Sequence, residues 1–236
     1  MCGRYVAATP VDKLAEQFLV EEVKVAVHEA SFNVAPTDEV LAVAVGRDGA
    51  RQLGSFRWGL VPSWAKDTTV GSRMINLRSE TVSEKPSFRR TLSRRRCILP
   101  ADGFYEWKAM GKGRKKQPFF VRARDGSVLA IAGLWEVWKP QGEEDADWLR
   151  TCTVITTEPN DVVRPIHDRM PVILPPAAWD TWLDQSNQDP DDLAKVLVPA
   201  PGDLLEAYPV GFDVNDVRND GDHLVTPLEG HEQEQL

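Results

Sequence analysis

Five strand-like runs follow one another between residues 97 and 157: "CILP", "GFYEWKA", "QPFFVRA", "VLAIAGLWEVW" and "LRTCTVITT". Turn residues separate them, as in the hairpin-like loops "GKGRKKQ" and "KPQGEEDADW". No helix-length segment lies between one run and the next. A parallel neighbour needs a crossover of about a dozen residues, usually a helix. Strands this close in sequence pair antiparallel, which points to an α+β class rather than alternating βαβ units. Upstream, "EVLAVAV" reads as a buried strand, and "RQLGSFRWGLVP" as a strand running into a Pro-terminated loop.

Helices are expected around this sheet. "TPVDKLAEQF" has Thr9 as N-cap and Pro10 at the first helical position. "NLRSETVSE" reads as helical, and Pro86 ends it or opens a second helix, "SFRRTLSRRR". Further helices are expected near 158–164, 176–183 and 191–196. The stretch "AYPVGFDVNDVRNDGDHLVTP" reads as extended, and residues 229–236 as a frayed tail.

A chain of 236 residues with 42% hydrophobic content can bury a substantial core. No apolar run approaches the ~18 residues of a membrane span. Residues 2–9 already mix Arg, Tyr and Thr, unlike a signal peptide, so a cytoplasmic protein without membrane contact is expected. Cys2, Cys97 and Cys152 are far apart and lack CxxC spacing. Neither a disulfide framework nor a zinc site is indicated, and no metal or cofactor is expected. That usage suits a reducing compartment.

The formal net charge of −8 argues against a protein that coats DNA generally. The distribution is more informative. Residues 71–124 hold 15 Lys and Arg against 4 Asp and Glu, while the rest of the chain is strongly acidic. Such a segment is either a local footprint for an anion or a solvated helix face.

Cys2 stands directly behind Met1. If Met1 is removed, Cys2 carries an α-amine of pKa about 7.7–8.0 and a thiol near 8.5. An amine and thiol on adjacent carbons attack an aldehyde in two steps, imine first and thiazolidine second. Position alone also allows Cys2 to be merely a small residue beside the start. Elsewhere, "ADGFYEWK" sets Glu106 among aromatic rings, where a carboxyl pKa rises and suits acid–base work. A lone Glu can equally be the exposed side of a strand. "RPIHDRMPVIL" places His167 in a loop, either as a proton shuttle or as a structural group. "MINLRSE" offers Asn76 and Arg78, and "SFNVAPT" offers Asn33 and Pro36.

In combination, "MCGRY", "FNVAPT", "RWGLVPSWAKD", "MINLRSET", "CILPADGFYEWK", "PFFVRA", "AGLWE", "TTEPN", "IHDRMPVIL" and "VNDVRNDG" resemble the SRAP family. The resemblance runs in order over about residues 2–228. The expected fold is α+β, a single domain over 2–228 with a largely antiparallel, barrel-like β core and peripheral helices. Members of that family lose the first methionine and trap abasic sites in single-stranded DNA through the exposed cysteine. The resemblance implies Cys2 as nucleophile and Asn76 as the holder of its backbone and of the adduct. It implies Glu106 as an acid–base group on amine and imine, and His167 as an aid to ring opening and reversal. Arg4, Arg78 and Arg169 would contact DNA phosphates, Thr156 would line the lesion pocket, Asn33 would be a further DNA-binding residue, and Pro36 and Trp64 would stack on exposed bases or wedge the duplex end. The expected partner is single-stranded DNA bearing abasic sites, bound by a monomer. Two other readings stay open: a cysteine peptidase or amidase using the same N-terminal nucleophile, and a non-covalent single-stranded DNA-binding module.

Overall fold

A computed structural model describes residues 2–25, 28–82, 84, 86–143 and 145–228; the tail expected at 229–236 lies outside the described residues. Its elements are, in order, β1 (Tyr5–Ala7), α1 (Val11–Gln17), β2 (Glu22–Val23), β3 (Ser31–Val34), β4 (Glu39–Val45), β5 (Arg51–Trp58), β6 (Asn76–Arg78), α2 (Ser79–Val82), α3 (Pro86–Arg94), β7 (Arg96–Ala101), β8 (Gly103–Lys108), β9 (Gln117–Ala123), β10 (Leu129–Trp138), β11 (Leu149–Thr157), β12 (Met170–Pro171), α4 (Pro176–Leu183), α5 (Pro190–Lys195) and β13 (Leu205–Pro209).

Five of these strands close into a barrel. β5, β4, β7, β10 and β11 pair antiparallel in that order, and β11 returns to β5 in parallel, with Cys152 opposite Trp58. A second sheet, in the order β13-β9-β8-β1-β3, packs against it. The expected α+β domain with a barrel-like core and peripheral helices is therefore the observed one. Among the described residues, no helix is long and apolar enough to cross a membrane.

The apolar run of β4 is explained by burial on both faces. Val40, Ala42 and Ala44 join Phe56, Trp58, Leu99 and Ile131 in one core, which continues to Tyr5, Phe104 and Val121 of the second sheet. Leu41 and Val43 point the other way, toward Phe18, Trp179, Trp182 and Leu193 of the helical layer. The period-2 alternation of a strand thus serves two cores at once.

Several local expectations are corrected. Thr9 is not a helix cap: its hydroxyl donates to Asp102, and Pro10 holds the cap position without a side-chain bond. Asn76–Arg78 is a strand rather than helix, because it pairs in parallel with Val154–Thr156 of β11; only Ser79–Val82 is helical. The expected helix at 158–164 is absent: residues 158–160 are irregular and 161–166 form turns. Pro159 and Pro165 lack the N–H a helix needs, and Asn160 Oδ1 accepts from the Val163 N–H at 3.0 Å. Beyond Pro209 the chain is not extended but makes 3₁₀ turns at Phe212–Asn215 and Asp222–Val225.

β5 and β6 occupy the same edge of β11, one after the other. Residues 59–75 leave that edge and return to it. Three bonds close the base of this excursion: Gly59 N–H to the Cys152 carbonyl, Leu60 N–H to the Met74 carbonyl, and Trp58 Nε1 to the Ile75 carbonyl. Gly59 sits at φ +130, and a Cβ there would lie 2.7 Å from the Gly71 carbonyl oxygen. Only glycine fits such a position without moving the backbone. Gly59→Ala is expected to destabilise the protein by about 1–3 kcal/mol, read as a lower midpoint in urea unfolding. An unchanged midpoint would show that the glycine contact does not tie the excursion down.

Candidate functional site

The N-terminal residues reach the site through strand register. Tyr5 lies opposite Phe104 and Val6 opposite Gly103, and the Tyr105 N–H donates to the Arg4 carbonyl at 2.9 Å. Continuing that antiparallel register brings residues 2–3 alongside Glu106. Asn76 arrives from the other sheet, at the start of β6 on the β11 edge. Its Nδ2 donates to the Cys2 carbonyl at 2.8 Å. Its Oδ1 is buried and has no hydrogen-bond partner among the described residues. Because the Cys2 carbonyl fixes which end of the amide is the donor, the acceptor end is the one left over.

Cys2 is 0% exposed. Burial, and after it the nearby Glu106 carboxylate, push the thiol well above its ordinary pKa; the Arg4 backbone N–H bonded to the sulfur acts in the opposite sense. At neutral pH the thiol therefore keeps its proton. Glu106, 1% exposed, has its carboxyl pushed up to about 7 by burial. It is close to half-protonated at neutral pH and can give or take a proton. His167 Nε2 stands 3.7 Å from Glu106 Oε2. Burial lowers the imidazole pKa, so His167 is neutral under the same conditions. Its Nδ1 lies 3.1 Å from the Arg169 N–H and 3.0 Å from the exposed Asp168 carboxylate, while Nε2 faces Glu106.

The other expected site residues divide into two groups. Arg4, Asn33, Thr156 and Arg169 are engaged within the fold. Arg4 Nη1 donates to Asn33 Oδ1 at 2.6 Å and to the Val214 carbonyl at 2.8 Å. Asn33 is 4% exposed, and its Nδ2 donates to the carbonyls of Asp216 and Asn219. These bonds hold the 212–219 segment against β3. Thr156 is buried and donates to the Leu77 carbonyl at 3.2 Å. Arg169 binds Glu80 with both terminal nitrogens, at 2.5 and 2.9 Å, and the Thr156 carbonyl at 2.6 Å. That guanidinium holds the Glu80 carboxyl below its ordinary pKa. The second group faces outward. Arg78 is exposed, Pro36 half-buried, and Trp64 is 68% exposed at the far side of the 59–75 excursion.

Sequence reasoning missed Glu80 and the Gly59–Gly71 contact. Glu80 lay within a quoted motif, but nothing in one dimension pairs it with an arginine 89 positions later.

The SOS response associated peptidase (SRAP) family model matches residues 1–217. The chain belongs to the SRAP family. The SRAP relatives include "Abasic site processing protein YoqW" of Bacillus subtilis, 43% identical over 95% of this chain and 99% of that protein. "Abasic site processing protein YedK" of Escherichia coli is 30% identical over 97% of this chain and 100% of that one. A crystal structure of a protein from Bacteroides thetaiotaomicron has the same fold, with a TM-score of 0.82 at 24% identity over 96% of this chain and all of that one.

The raised Glu106 pKa has a consequence for stability. Between about pH 4.5 and 7 the folded protein keeps a proton that the unfolded chain releases. The stability this confers is full below the unfolded pKa and is lost as pH rises through about 7. Glu106→Gln, a neutral isostere, does not undergo that loss. From pH 4.5 to above 8 the variant is expected to gain about 3 kcal/mol relative to wild type, measured by urea unfolding at both ends. Parallel pH profiles would mean that Glu106 is solvated as an ordinary carboxylate.

Proposed function

We propose that, after loss of Met1, Cys2 traps the aldehyde of a ring-opened abasic site in single-stranded DNA as a thiazolidine. The observation that carries this reading is the Asn76 amide. One end holds the Cys2 carbonyl at 2.8 Å, and the other is a buried acceptor without a partner. Leaving such an acceptor unmet costs about 1–3 kcal/mol, and an N–H or O–H of an adduct on Cys2 would meet it. Family membership and the names of the relatives point to the same class of lesion.

The chemistry follows from the protonation states. The Cys2 amine adds to the aldehyde carbon, and water leaves as the imine forms. Glu106 in its acid form delivers the proton to the departing hydroxyl. The neutral thiol then adds across the C=N bond: sulfur bonds to carbon, and its proton passes to nitrogen by way of Glu106. His167, with Nε2 3.7 Å from Glu106 Oε2, relays protons between that carboxyl and solvent. Running these steps backwards releases the aldehyde. Asn76 holds the nucleophile in place throughout, which is the entropic part of the catalysis. Arg78 takes a phosphate, and Trp64, with Pro36, offers apolar surface to unstacked bases. Arg4, Asn33, Thr156 and Arg169 shape the walls.

The test is incubation with abasic single-stranded DNA followed by a denaturing gel. A heat-stable band is expected with wild type and none with Cys2→Ala. A residue added ahead of Cys2 should abolish the band although the thiol remains, and a mass spectrum establishes whether Met1 is gone. Glu106→Gln and His167→Ala should slow formation or release about 10²- to 10⁴-fold without removing the end product. Peptide turnover with no band would favour an amidase instead, and DNA binding that survives Cys2→Ala with no band would favour a non-covalent module.

A further inference from the structure

A groove outside the Cys2 site lies between α3 and α5. It encloses about 610 Å³, and its walls include Arg89, Arg90, Arg94, Ser93 and Gln188. Among the described residues that line it there is no carboxylate. All three arginines are exposed. Arg90 and Arg94 are four positions apart on one helix and stand side by side, a like-charge pairing that disfavours the helix by a few tenths of a kcal/mol. An anion lying between them would reverse the sign of that term.

A second cavity shares Arg90 with this groove. A crevice of about 380 Å³ beside Trp64 is walled by Leu60, Met74, Phe88, Glu136 and, again, Arg90, and the Glu136 carboxylate is paired with Arg95. The guanidinium of Arg90 thus borders both spaces. Met74 precedes Asn76 by two residues, at most about 7 Å of extended chain. Arg90 therefore stands between the crevice that holds Trp64 and Met74 and the groove that holds Arg94.

We infer that the α3–α5 groove is a phosphate track for the single strand flanking the lesion, taking up the backbone where it leaves Trp64. The inference rests on the reading of Cys2 as a trap in single-stranded DNA and adds a binding surface outside it. It also gives the basic segment a division of labour. Arg95 and Arg96, the next residues in sequence, serve the fold: Arg95 pairs with Glu136, and Arg96 donates to the carbonyls of Leu92, Trp182, Asp184 and Asn187. The arginines of the groove remain on the surface. An acidic protein would suit the same charge, but it would not call for continuity with the Trp64 crevice.

The experiment measures affinity for undamaged single-stranded oligonucleotides as a function of salt, with wild type, R90A/R94A and R90K/R94K. Each phosphate contact on a single strand contributes about 0.7 to the slope of log K against log salt. R90A/R94A is expected to be shallower by about 1.4 and to lose the affinity gained when the oligonucleotide is lengthened on one side. R90K/R94K should keep both, because a phosphate accepts either cation. A wild-type slope in R90A/R94A overturns the track and leaves the groove to another anion, an acidic protein included. So does a lysine variant as weak as the alanine one with an unchanged melting temperature. The covalent reading is checked separately by the wild-type band on abasic DNA, so the two can fail independently.

Discussion

β11 bonds two successive segments along a single edge, first β5 and then β6. The first pairing closes the barrel. The second delivers Asn76 to the Cys2 carbonyl. A barrel with no free edge there would have had no place for β6, and a β6 paired elsewhere would have left Cys2 without its holder. The 59–75 excursion exists because the chain must leave the edge and come back. Its outer side carries Trp64, and its base is the glycine contact at Gly59 and Gly71. Strand pairing, the hold on Cys2 and the exposed aromatic are consequences of one hydrogen-bonded edge.

The chemistry depends on what burial does to two groups that would otherwise be ordinary. A thiol and a carboxyl taken out of water both resist ionisation. Cys2 stays protonated, while Glu106, with a carboxyl near 7, exchanges protons at neutral pH. His167, neutral and less buried, connects that carboxyl to solvent. The arrangement suits proton transfer at neutral pH.

The basic segment shows how far charge counting goes. Of its 15 cations, several serve the fold. Arg96 is 4% exposed and satisfies carbonyls at the ends of α3 and α4. Arg122 pairs with Glu206 across β9 and β13 at 2.7 Å. Others, Arg78, Arg90 and Arg94 among them, stay on the surface. A run of arginines is the same string in one dimension whether a residue caps a carbonyl or meets a phosphate.

The sequence alone determined the class of fold, because strand runs too close for crossovers must pair antiparallel. It also named Cys2, Asn76, Glu106 and His167 through motifs that carry weight only in combination, and the fold places Asn76 against Cys2 and His167 against Glu106. Only the tertiary structure decided what each group can do. Asn76–Arg78 has helix-compatible residues and became strand because an open edge of β11 accepted its backbone. Arg4, Asn33 and Arg169, read from the sequence as DNA-binding residues, bond to Val214, Asp216 and Glu80, partners dozens to hundreds of residues away. Whether a polar group is free for a ligand depends on which distant atoms fold against it. That is settled by packing in three dimensions, not by residue type or spacing.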